Sequence, residues 1–324
     1  MNVQRLIATI VLGAAAIAAP SAQAAGSGFP SRPVRFIVGF APGGATDLVA
    51  RILQPKLSAS LGEQVVVDNR PGANGTISLA LLAHAEPDGY TIAIGHIGGL
   101  VISPVIQKVQ YDPNRSFTPI GLMVTLQNIL ITNTKVPVKT LKDFIAMAKA
   151  KQGQLNYASS GVGSPGNLSG ALLEAMTGIQ MTHIPYKGGG PALTDLLAGN
   201  VPAFFAVIST AVPYVRANRV HAIAVTGDHR SEALPDVPTM AQAGVPGYVA
   251  LNWYGLVAPA KTPAAIVNRL NKEVVAALRN PEVAHQLQDR GIDPAPTSPA
   301  EFERFVRSEQ KKWLPIIKRA KIGG

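Results

Sequence analysis

Residues 36–51 read FIVGFAPGGATDLVAR, and this stretch predicts the local fold from which the rest of the chain can be interpreted. Its opening residues, Phe36 to Val38, have the length and β-branched content of a buried strand. The strand pattern breaks at Pro42-Gly43-Gly44, and apolar residues then recur at helical spacing from Leu48 to Leu53. A glycine-rich turn from a strand into a helix leaves backbone N–H groups and the positive end of the helix dipole facing outward. The stretch therefore predicts a seat for an anion, although many turns of this composition bind nothing.

The same order of strand, glycine-rich turn and helix recurs further along the chain. Residues 155–159 have the pattern of a strand, residues 160–166 read SGVGSPG, and a helix is predicted from Asn167 to Met176. Between residues 32 and 95 the predicted order is β-α-β-α-β, which implies a parallel sheet covered by helices. We therefore expect an α/β protein of two lobes, each a mostly parallel sheet covered by helices. In such sheets ligands usually lie at the carboxyl ends of the strands.

The order of elements also predicts how the chain is divided between the lobes. The strand pattern restarts near residues 125–134, and the chain is expected to cross back near residues 248–259. Lobe 1 is then formed by residues 26–127 and 248–324, and lobe 2 by residues 128–247. The two crossings would form the hinge between the lobes.

The last third of the chain is predicted to be mainly helical. Residues 235–246 form a proline-punctuated loop in which a short helix is expected. Three helices should follow, beginning at Thr262-Pro263, Asn280-Pro281 and Ser298-Pro299, because each pair has a capping residue before a proline at the first helical position. We expect these helices to pack on the first lobe.

The N-terminus has the composition of a secretory signal sequence. Arg5 supplies a positive charge, residues 6–19 form an apolar segment, and Ala22-Gln23-Ala24 is a small-residue cleavage site. We predict cleavage after Ala24, with residues 1–24 as the signal peptide, and a periplasmic mature protein.

The composition argues against several classes of partner. The chain has 29 Lys and Arg against 19 Asp and Glu, a net charge of +10, but the basic residues are scattered and form no stripe for nucleic acid. A modest positive field favours anionic small molecules instead. Cysteine is absent and the six histidines lack metal-binding spacing, so neither a metal nor another cofactor is expected.

Catalytic motifs are incomplete. Residues 161–166 match the pattern GxGxxG, but proline occupies the fifth position and no acidic residue ends the next predicted strand, which argues against a dinucleotide site. No GxSxG motif is present, and the sequence indicates no base for Ser159, Ser160 or Ser164. His183 lies within a predicted strand and is interpreted as structural. We therefore predict a binding protein, not an enzyme.

Two polar residues near the predicted turns have two interpretations each. Asp47 either stabilises the start of its helix through the dipole or contacts the ligand at the rim of the pocket. His96, directly after the third predicted strand, faces either the cleft or solvent.

Six motifs together resemble those of a known family. The chain from about Pro33 to Trp313 resembles the Bug, or TctC-like, substrate-binding proteins of tripartite tricarboxylate transporters. The motifs that carry this resemblance are Phe40-Ala41-Pro42-Gly43-Gly44 with Asp47 and Ala50-Arg51, Asn69-Arg70-Pro71-Gly72-Ala73, Tyr157-Ala158-Ser159-Ser160-Gly161, His183-Ile184-Pro185-Tyr186-Lys187-Gly188, Pro235-Asp236-Val237-Pro238-Thr239 and Trp253 to Pro259.

The resemblance implies a Venus-flytrap fold, like that of periplasmic binding proteins, in which two lobes close on a small carboxylate. On this basis the expected ligand-binding residues are, in the first lobe, Phe40, Ala41, Pro42, Gly43, Gly44, Asp47, His96, Ile97 and Gly98, and in the second lobe, Ser159, Ser160, Gly163, Ser164, Asn167, Tyr186, Lys187 and Ser209. The sequence departs from the family at Asn167, where members often carry His. Ser209 and Thr210 lie in a region that commonly varies with the ligand, and are candidate selectors.

The function implied is that of a periplasmic solute-binding protein, acting as a monomer, that delivers its ligand to permease subunits of a tripartite tricarboxylate transporter. The ligand class is a small carboxylate: a dicarboxylate or tricarboxylate, an acidic amino acid or an aromatic carboxylate. A ligand sensor for a periplasmic signalling partner requires the same flytrap fold and stays open as an alternative. An exported enzyme is the less favoured alternative, because it requires a catalytic set that the sequence lacks.

Overall fold

The strands of the protein join in one mixed sheet. The computed structural model describes residues 28–320 and residue 322, and the predicted signal sequence lies outside the described residues. The strands are β1 (Val34–Val38), β2 (Val65–Asn69), β3 (Thr91–His96), β4 (Phe117–Asn133), β5 (Asn156–Ser159), β6 (Thr182–Pro185), β7 (Ala203–Val207), β8 (Val220–Val225), β9 (Leu251–Pro259) and β10 (Ile292–Pro294). Their order is β2-β1-β3-β9-β4-β7-β5-β6, and β8 and β10 also pair with β4.

The helices flank this sheet and include two irregular turns that the sequence did not predict. A 3₁₀ turn covers Ala73–Gly75, and a turn of π-helix covers Gly98–Ile102, directly after β3. The α-helices are α1 (Ala45–Leu61), α2 (Thr76–Ala83), α3 (Ser103–Ile106), α4 (Leu141–Ala150), α5 (Pro165–Thr177), α6 (Gly189–Ala198), α7 (Ile208–Arg216), α8 (Ala264–Arg279), α9 (Pro281–Gln288) and α10 (Pro299–Arg319).

Strand β4 is common to two groups of strands. Residues 117–127 pair with antiparallel β9, and residues 124–126 also with β10, whereas residues 128–133 pair with β7 and β8. Beyond β4, β1 pairs in parallel with β2 and β3, and β5 pairs in parallel with β6 and β7. These two groups are the first and second lobes. The predicted two-lobed α/β class is confirmed, whereas the residue boundaries given above for the lobes stay a prediction.

The core has a part for each lobe and a part common to both. Residues of β1, α1 and α8 form a first-lobe cluster, represented by Phe36, Leu53 and Val274. Phe204 belongs to a second-lobe cluster. A third cluster contains Trp253 from β9 together with residues of α5 and α10, so it joins the two groups of strands.

Helix α10 is fixed by a buried carboxylate. Glu309 is 7% exposed, and its Oε2 accepts hydrogen bonds of 3.1 Å from the indole nitrogens of both Trp253 and Trp313. Near the end of α10, Arg319 donates to the carbonyl oxygen of Ala175 in α5 at 3.3 Å. The prediction that the C-terminal helices pack on the first lobe therefore misses one contact, because α10 also reaches the second lobe.

Three of the predicted helix starts and one predicted helix can be compared with the structure. The side chain of Asn280 caps α9, and Ser298 begins α10 with a capping box, as predicted. Thr262 does not cap α8, because the capping position is taken by Pro263 and the Thr262 hydroxyl donates to a carbonyl three residues earlier. The short helix predicted within residues 235–246 is wrong, since this segment forms turns.

Candidate functional site

The turn between β1 and α1 is open to a ligand. Residues 41–44 are exposed, and Gly43 has the left-handed backbone angle φ of +86°. Helix α1 begins after Gly44, and no side chain makes a capping hydrogen bond to its first turn. A Cβ added to Gly44 would have no atom closer than 3.8 Å, so the approach to the first N–H groups of the helix is free. An uncapped, exposed helix start has the geometry expected from the sequence at this turn, and the binding of an anion to it stays a prediction.

The buried side chain of Asp47 stabilises this turn through hydrogen bonds. Its side chain is 4% exposed. Its carboxylate accepts the Gly43 N–H at 2.9 Å, the Asn69 side chain at 2.9 Å and the Arg51 Nε at 2.9 Å. Burial acts to raise the pKa of Asp47, but the hydrogen bonds from Arg51, Gly43 and Asn69 outweigh it, so the pKa lies below its usual value. The carboxylate already accepts hydrogen bonds from three groups of its own lobe. This geometry favours the interpretation that Asp47 stabilises the turn over the interpretation that it contacts the ligand at the rim of the pocket.

The loop after β3 lies beside this turn. His96 is 4% exposed, which excludes the interpretation that it faces solvent. Its ring centroid is 5.0 Å from that of Phe40, and on the neighbouring strand it pairs with Tyr254. Ile97 and Gly98 are buried, and Gly98 begins the π-helical turn. The structure thus brings together the two first-lobe segments in which ligand contacts were predicted.

Two asparagines, one at the end of β2 and one in the 3₁₀ turn after it, lie beside these segments and were not predicted as site residues. Asn69 donates both to Asp47 and, at 3.0 Å, to the carbonyl oxygen of Phe40. Asn74 has left-handed backbone angles, and its side-chain nitrogen faces Gly98. Since the carboxyl ends of parallel strands meet at one edge of a sheet, the polar residues after β2 could have been assigned to this edge from the predicted topology.

In the second lobe, Ser159 is a buried part of the turn between β5 and α5. It is 0% exposed, and its Oγ lies 2.6 Å from His183 Nε2. The Oγ is also 2.9 Å from the Gly161 carbonyl oxygen, and it accepts the Gly161 N–H and the Ser164 hydroxyl, both at 3.1 Å. Burial lowers the pKa of His183 to about 4, which keeps the ring neutral near pH 7. The pair has the composition of a nucleophile and a base, and its hydrogen bonds also hold the turn that follows β5.

Asn167 supports the second-lobe turn as Asp47 supports the first. Its Oδ1 accepts the Gly163 N–H at 3.0 Å, and its Nδ2 donates to the Tyr157 hydroxyl at 3.2 Å. The N-cap of α5 is Ser164, whose hydroxyl accepts the Asn167 N–H at 3.3 Å. All of these groups are buried, so Asn167 fixes the conformation of the turn from inside the lobe.

The two turns have the same construction at a separation of 120 residues. Gly43 and Gly163 both have left-handed φ angles, +86° and +70°, and the residue four positions later accepts the N–H of each. They differ in charge, because Arg51 neutralises the first-lobe carboxylate, whereas the equivalent position of the second lobe is Ala171. Each lobe therefore has a glycine-containing helix start. In the first lobe the side chain behind it is an ion-paired carboxylate, and in the second lobe it is an uncharged amide.

The second-lobe turn packs against the first lobe. A Cβ added to Gly163 would lie 2.8 Å from Ile106 Cδ1 and 3.1 Å from Ile102 Cγ2. Both isoleucines belong to the helical segment that continues from the loop after β3. The turn of residues 159–164 therefore lies next to the segment that carries the first-lobe loop, and does not point away from it.

Three further predicted residues follow β6 and β7: Tyr186 and Lys187 come directly after β6, and Ser209 lies in the first turn of α7. The Tyr186 N–H donates to the carbonyl oxygen of Ser159 at 3.1 Å, which joins the end of β6 to the turn. The Tyr186 hydroxyl is already used, since it donates to Asp195 at 2.7 Å. Lys187 is exposed, and Ser209 is half-buried at the start of α7.

Two crevices lie away from this site. A groove of about 320 Å³ is bordered by the C-terminal ends of α5 and α10, with Glu174 and Arg319 in its wall. A smaller cavity of about 50 Å³ is lined by Phe117 and Phe302. Neither contains a predicted site residue, and the carbonyl ends of two helices in the larger groove disfavour an anion.

Two negative findings apply to residues 28–320 and 322. Their His, Asp and Glu side chains include no group of three arranged to hold a metal ion. Within the same residues, every helix falls short of the length and apolar character required to cross a membrane.

Comparison with known proteins gives a consistent result. Residues 49–322 match the family model described as "Tripartite tricarboxylate transporter family receptor". The protein BugT of Bordetella pertussis is 34% identical over 325 residues, which covers 98% of this chain and 98% of BugT. The structure of Rhodopseudomonas palustris Rpa4515 with adipate is 36% identical, covers 91% of this chain and 99% of that one, and superposes with a TM-score of 0.85. MatC from the same organism, with bound malate, is 34% identical, covers 89% and 100% of the two chains, and gives a TM-score of 0.80.

Proposed function

The chain belongs to the tripartite tricarboxylate transporter receptor family, and on that premise we propose that it is a periplasmic solute-binding protein that captures a small carboxylate for a membrane permease. The observation that carries this proposal is the pair of equivalent turns, one in each lobe, that begin α1 and α5. Two relatives of similar fold bind adipate and malate, which are small carboxylates. The dicarboxylate class is therefore the first to test.

The ligand carboxylate binds to the uncapped first turn of α1 and to the loop that follows β3. Backbone N–H groups there are oriented before the ligand arrives, and each hydrogen bond to a charged group contributes about 1.5–3 kcal/mol. The predicted site residues divide into two kinds. Residues 41–44, Gly98 and Ser160 contact the ligand, whereas Asp47 and Asn167 position the turns that do so.

Closure of the lobes buries the ligand between the two turns. We assign residues 26–127 and 248–324 to one lobe and 128–247 to the other, with the hinge where β4 passes from its β9 partner to its β7 partner. Water displaced from the gap is replaced by fixed N–H donors. The backbone donors recognise a carboxylate without identifying its carrier, so side chains at the far end, including Ser209, select the ligand.

The proposal is tested by calorimetric titration of the purified mature protein after ligand removal by unfolding and refolding. Adipate and malate serve as probes, and adipamide, which has the same chain length and no charge, is the matched control. We expect at least one probe to bind with a dissociation constant of about 10 µM or less, and adipamide to bind at least a hundredfold more weakly, a difference of about 2.7 kcal/mol.

A second measurement identifies what the protein carries from the cell. Mass spectrometry of the compound released on unfolding should detect a carboxylic acid. The proposal is wrong if mono-, di- and tricarboxylates all fail to bind and the released compound has no carboxyl group.

A further inference from the structure

Two buried N–H donors of the first lobe, near the turn between β1 and α1 and the loop after β3, lack an acceptor. Among the described residues, Asn74 Nδ2 and His96 Nε2 are both buried without a hydrogen-bond partner. Buried donors in native proteins are nearly always paired, so two at one place require an explanation. Both are close to Gly98, since a Cβ added there would lie 2.9 Å from Asn74 Nδ2 and 3.0 Å from His96 Nδ1.

The protonation of His96 follows from its neighbours. The Gly99 N–H donates to Nδ1 at 3.4 Å, so the ring proton of the neutral imidazole is on Nε2. Burial lowers the pKa of His96 to about 4, and no charged group contributes to the shift. The groups packed around the ring are the Phe40 ring, Gly75, Gly98 and Gly99, and Tyr254 is its partner on β9. His96 is therefore an uncharged donor at neutral pH.

The backbone around Asn74 is arranged to hold its side chain in this position. Asn74 has φ of +52° and ψ of +43°, and the preceding residue, Ala73, is also left-handed with φ of +45°. The turn is closed by a 2.9 Å hydrogen bond from the Gly75 N–H to the Gly72 carbonyl oxygen. A Cβ at Gly75 would collide with His96 Nε2, so glycine at this position leaves the imidazole room. Asn tolerates the left-handed region better than most residues, which allows a side-chain amide at this point.

We propose that Asn74 and His96 donate their unpaired N–H groups to the ligand carboxylate that binds at the start of α1, and that this neutral pair selects carboxylates against ligands that present N–H groups. The inference rests on the proposed function and extends it to two named side chains. A carboxylate has only acceptors, so it can pair with both donors. An ammonium group has only donors and leaves both N–H groups unpaired, whereas a primary amide offers one acceptor oxygen and turns its NH2 group toward the position that the second carboxylate oxygen would fill. A site built to hydrogen-bond one chemical group rejects an analogue that cannot form those bonds more strongly than an apolar pocket rejects a ligand of slightly different size.

The first test removes the Asn74 side chain without straining the turn. Asn74→Gly keeps the left-handed conformation, and Ala73→Gly, at the neighbouring left-handed residue, is the matched control for added backbone freedom. Both variants are titrated with adipate, malate and adipamide. We expect Asn74→Gly to lose about tenfold to a hundredfold in affinity for the carboxylate that binds the unchanged protein. The ratio of the dissociation constants for adipamide and for that carboxylate should become smaller. Ala73→Gly should keep both values within about threefold.

The second test separates the donor of His96 from its packing. Gln can place an N–H near the position of Nε2, whereas Met has similar volume and no donor. We expect His96→Gln to retain most of the discrimination between acid and amide, and His96→Met to lose it by about tenfold or more. This difference does not arise if the ring only fills space.

The outcomes separate this inference from the proposed function. If the unchanged protein binds a carboxylate but Asn74→Gly behaves like Ala73→Gly, or His96→Met discriminates as well as His96→Gln, the inference is overturned while the proposed function stands. If no carboxylate binds the unchanged protein, both are overturned.

Discussion

Replacement of Asn167 by Asp tests whether an anion lies beside the second-lobe turn. Asp keeps an acceptor for the Gly163 N–H, as Asp47 does for the equivalent N–H in the first lobe. The first-lobe carboxylate is neutralised by Arg51 at 2.9 Å, but residue 171, at the corresponding position after 167, is an alanine. Asn167→Asp therefore introduces a buried negative charge without a cation and without loss of the hydrogen bond that forms the turn.

The size of the effect follows from Coulomb's law. For a ligand anion taken at about 6 Å from the new carboxylate, and an effective dielectric constant of about 20, the repulsion is about 3 kcal/mol. This corresponds to a loss of affinity of about a hundredfold. Burial raises the pKa of the new carboxyl group, so the loss should shrink as the pH falls and the group becomes neutral.

The assay is calorimetric titration at pH 7.5 with whichever of adipate and malate binds the unchanged protein, and thermal unfolding monitored by circular dichroism to confirm the fold. The reverse exchange, Asp47→Asn, is the matched control: it keeps the acceptor for Gly43, removes a negative charge and frees Arg51, so affinity should rise or stay the same. If Asn167→Asp folds and binds within twofold of the unchanged protein, no anion lies near the second-lobe turn and the reasoning is refuted.

Three further results are expected. Glu309→Leu should lower the free energy of unfolding by about 2–5 kcal/mol in urea titrations, because the indole N–H groups of Trp253 and Trp313 lose their common acceptor, and a loss below 1 kcal/mol would contradict this. Gly44→Val should weaken carboxylate binding at least tenfold in the calorimetric assay while unfolding changes by about 1 kcal/mol or less, since its Cβ projects into open space over the first turn of α1. Burial lowers the pKa of His96 from an ordinary 6.5 to about 4, so the free energy of unfolding should be constant above pH 6.5 and fall by up to about 3 kcal/mol as the pH drops to 4. Urea titrations across this pH range should show a weaker dependence for His96→Gln.

The fold could be predicted largely because its signals are local. The strand, turn and helix of residues 36–51 are specified by apolar spacing and by glycines, and the observed β1 and α1 follow that pattern. The long strand β4 was predicted only in its second half, because residues 117–124 contain Pro119 and Gly121, which interrupt the apolar pattern. Pairing with β9 on one side, with irregular register at these positions, stabilises the strand across the interruption.

The two turns of the candidate site could be located from the sequence, but how their polar residues are used required the contacts. Composition could not distinguish a side chain that touches the ligand from one that holds the turn, and Asp47, Ser159 and Asn167 are all occupied inside their own lobes. The unpaired donor of Asn74 arises from a left-handed residue in a 3₁₀ turn packed on a π-helical turn, and neither irregularity has a period that a sequence pattern reveals.

The 17-residue strand β4 has a consequence for how the molecule can be made and taken apart. Because one continuous strand completes both halves, a gene fragment encoding either half alone would expose an unpaired edge and part of a split core. We expect such fragments to be insoluble, and denaturation of the whole chain to pass through a single transition. We therefore expect loops at either end of this strand to tolerate replacement, and neither half of the molecule to fold as a separate module.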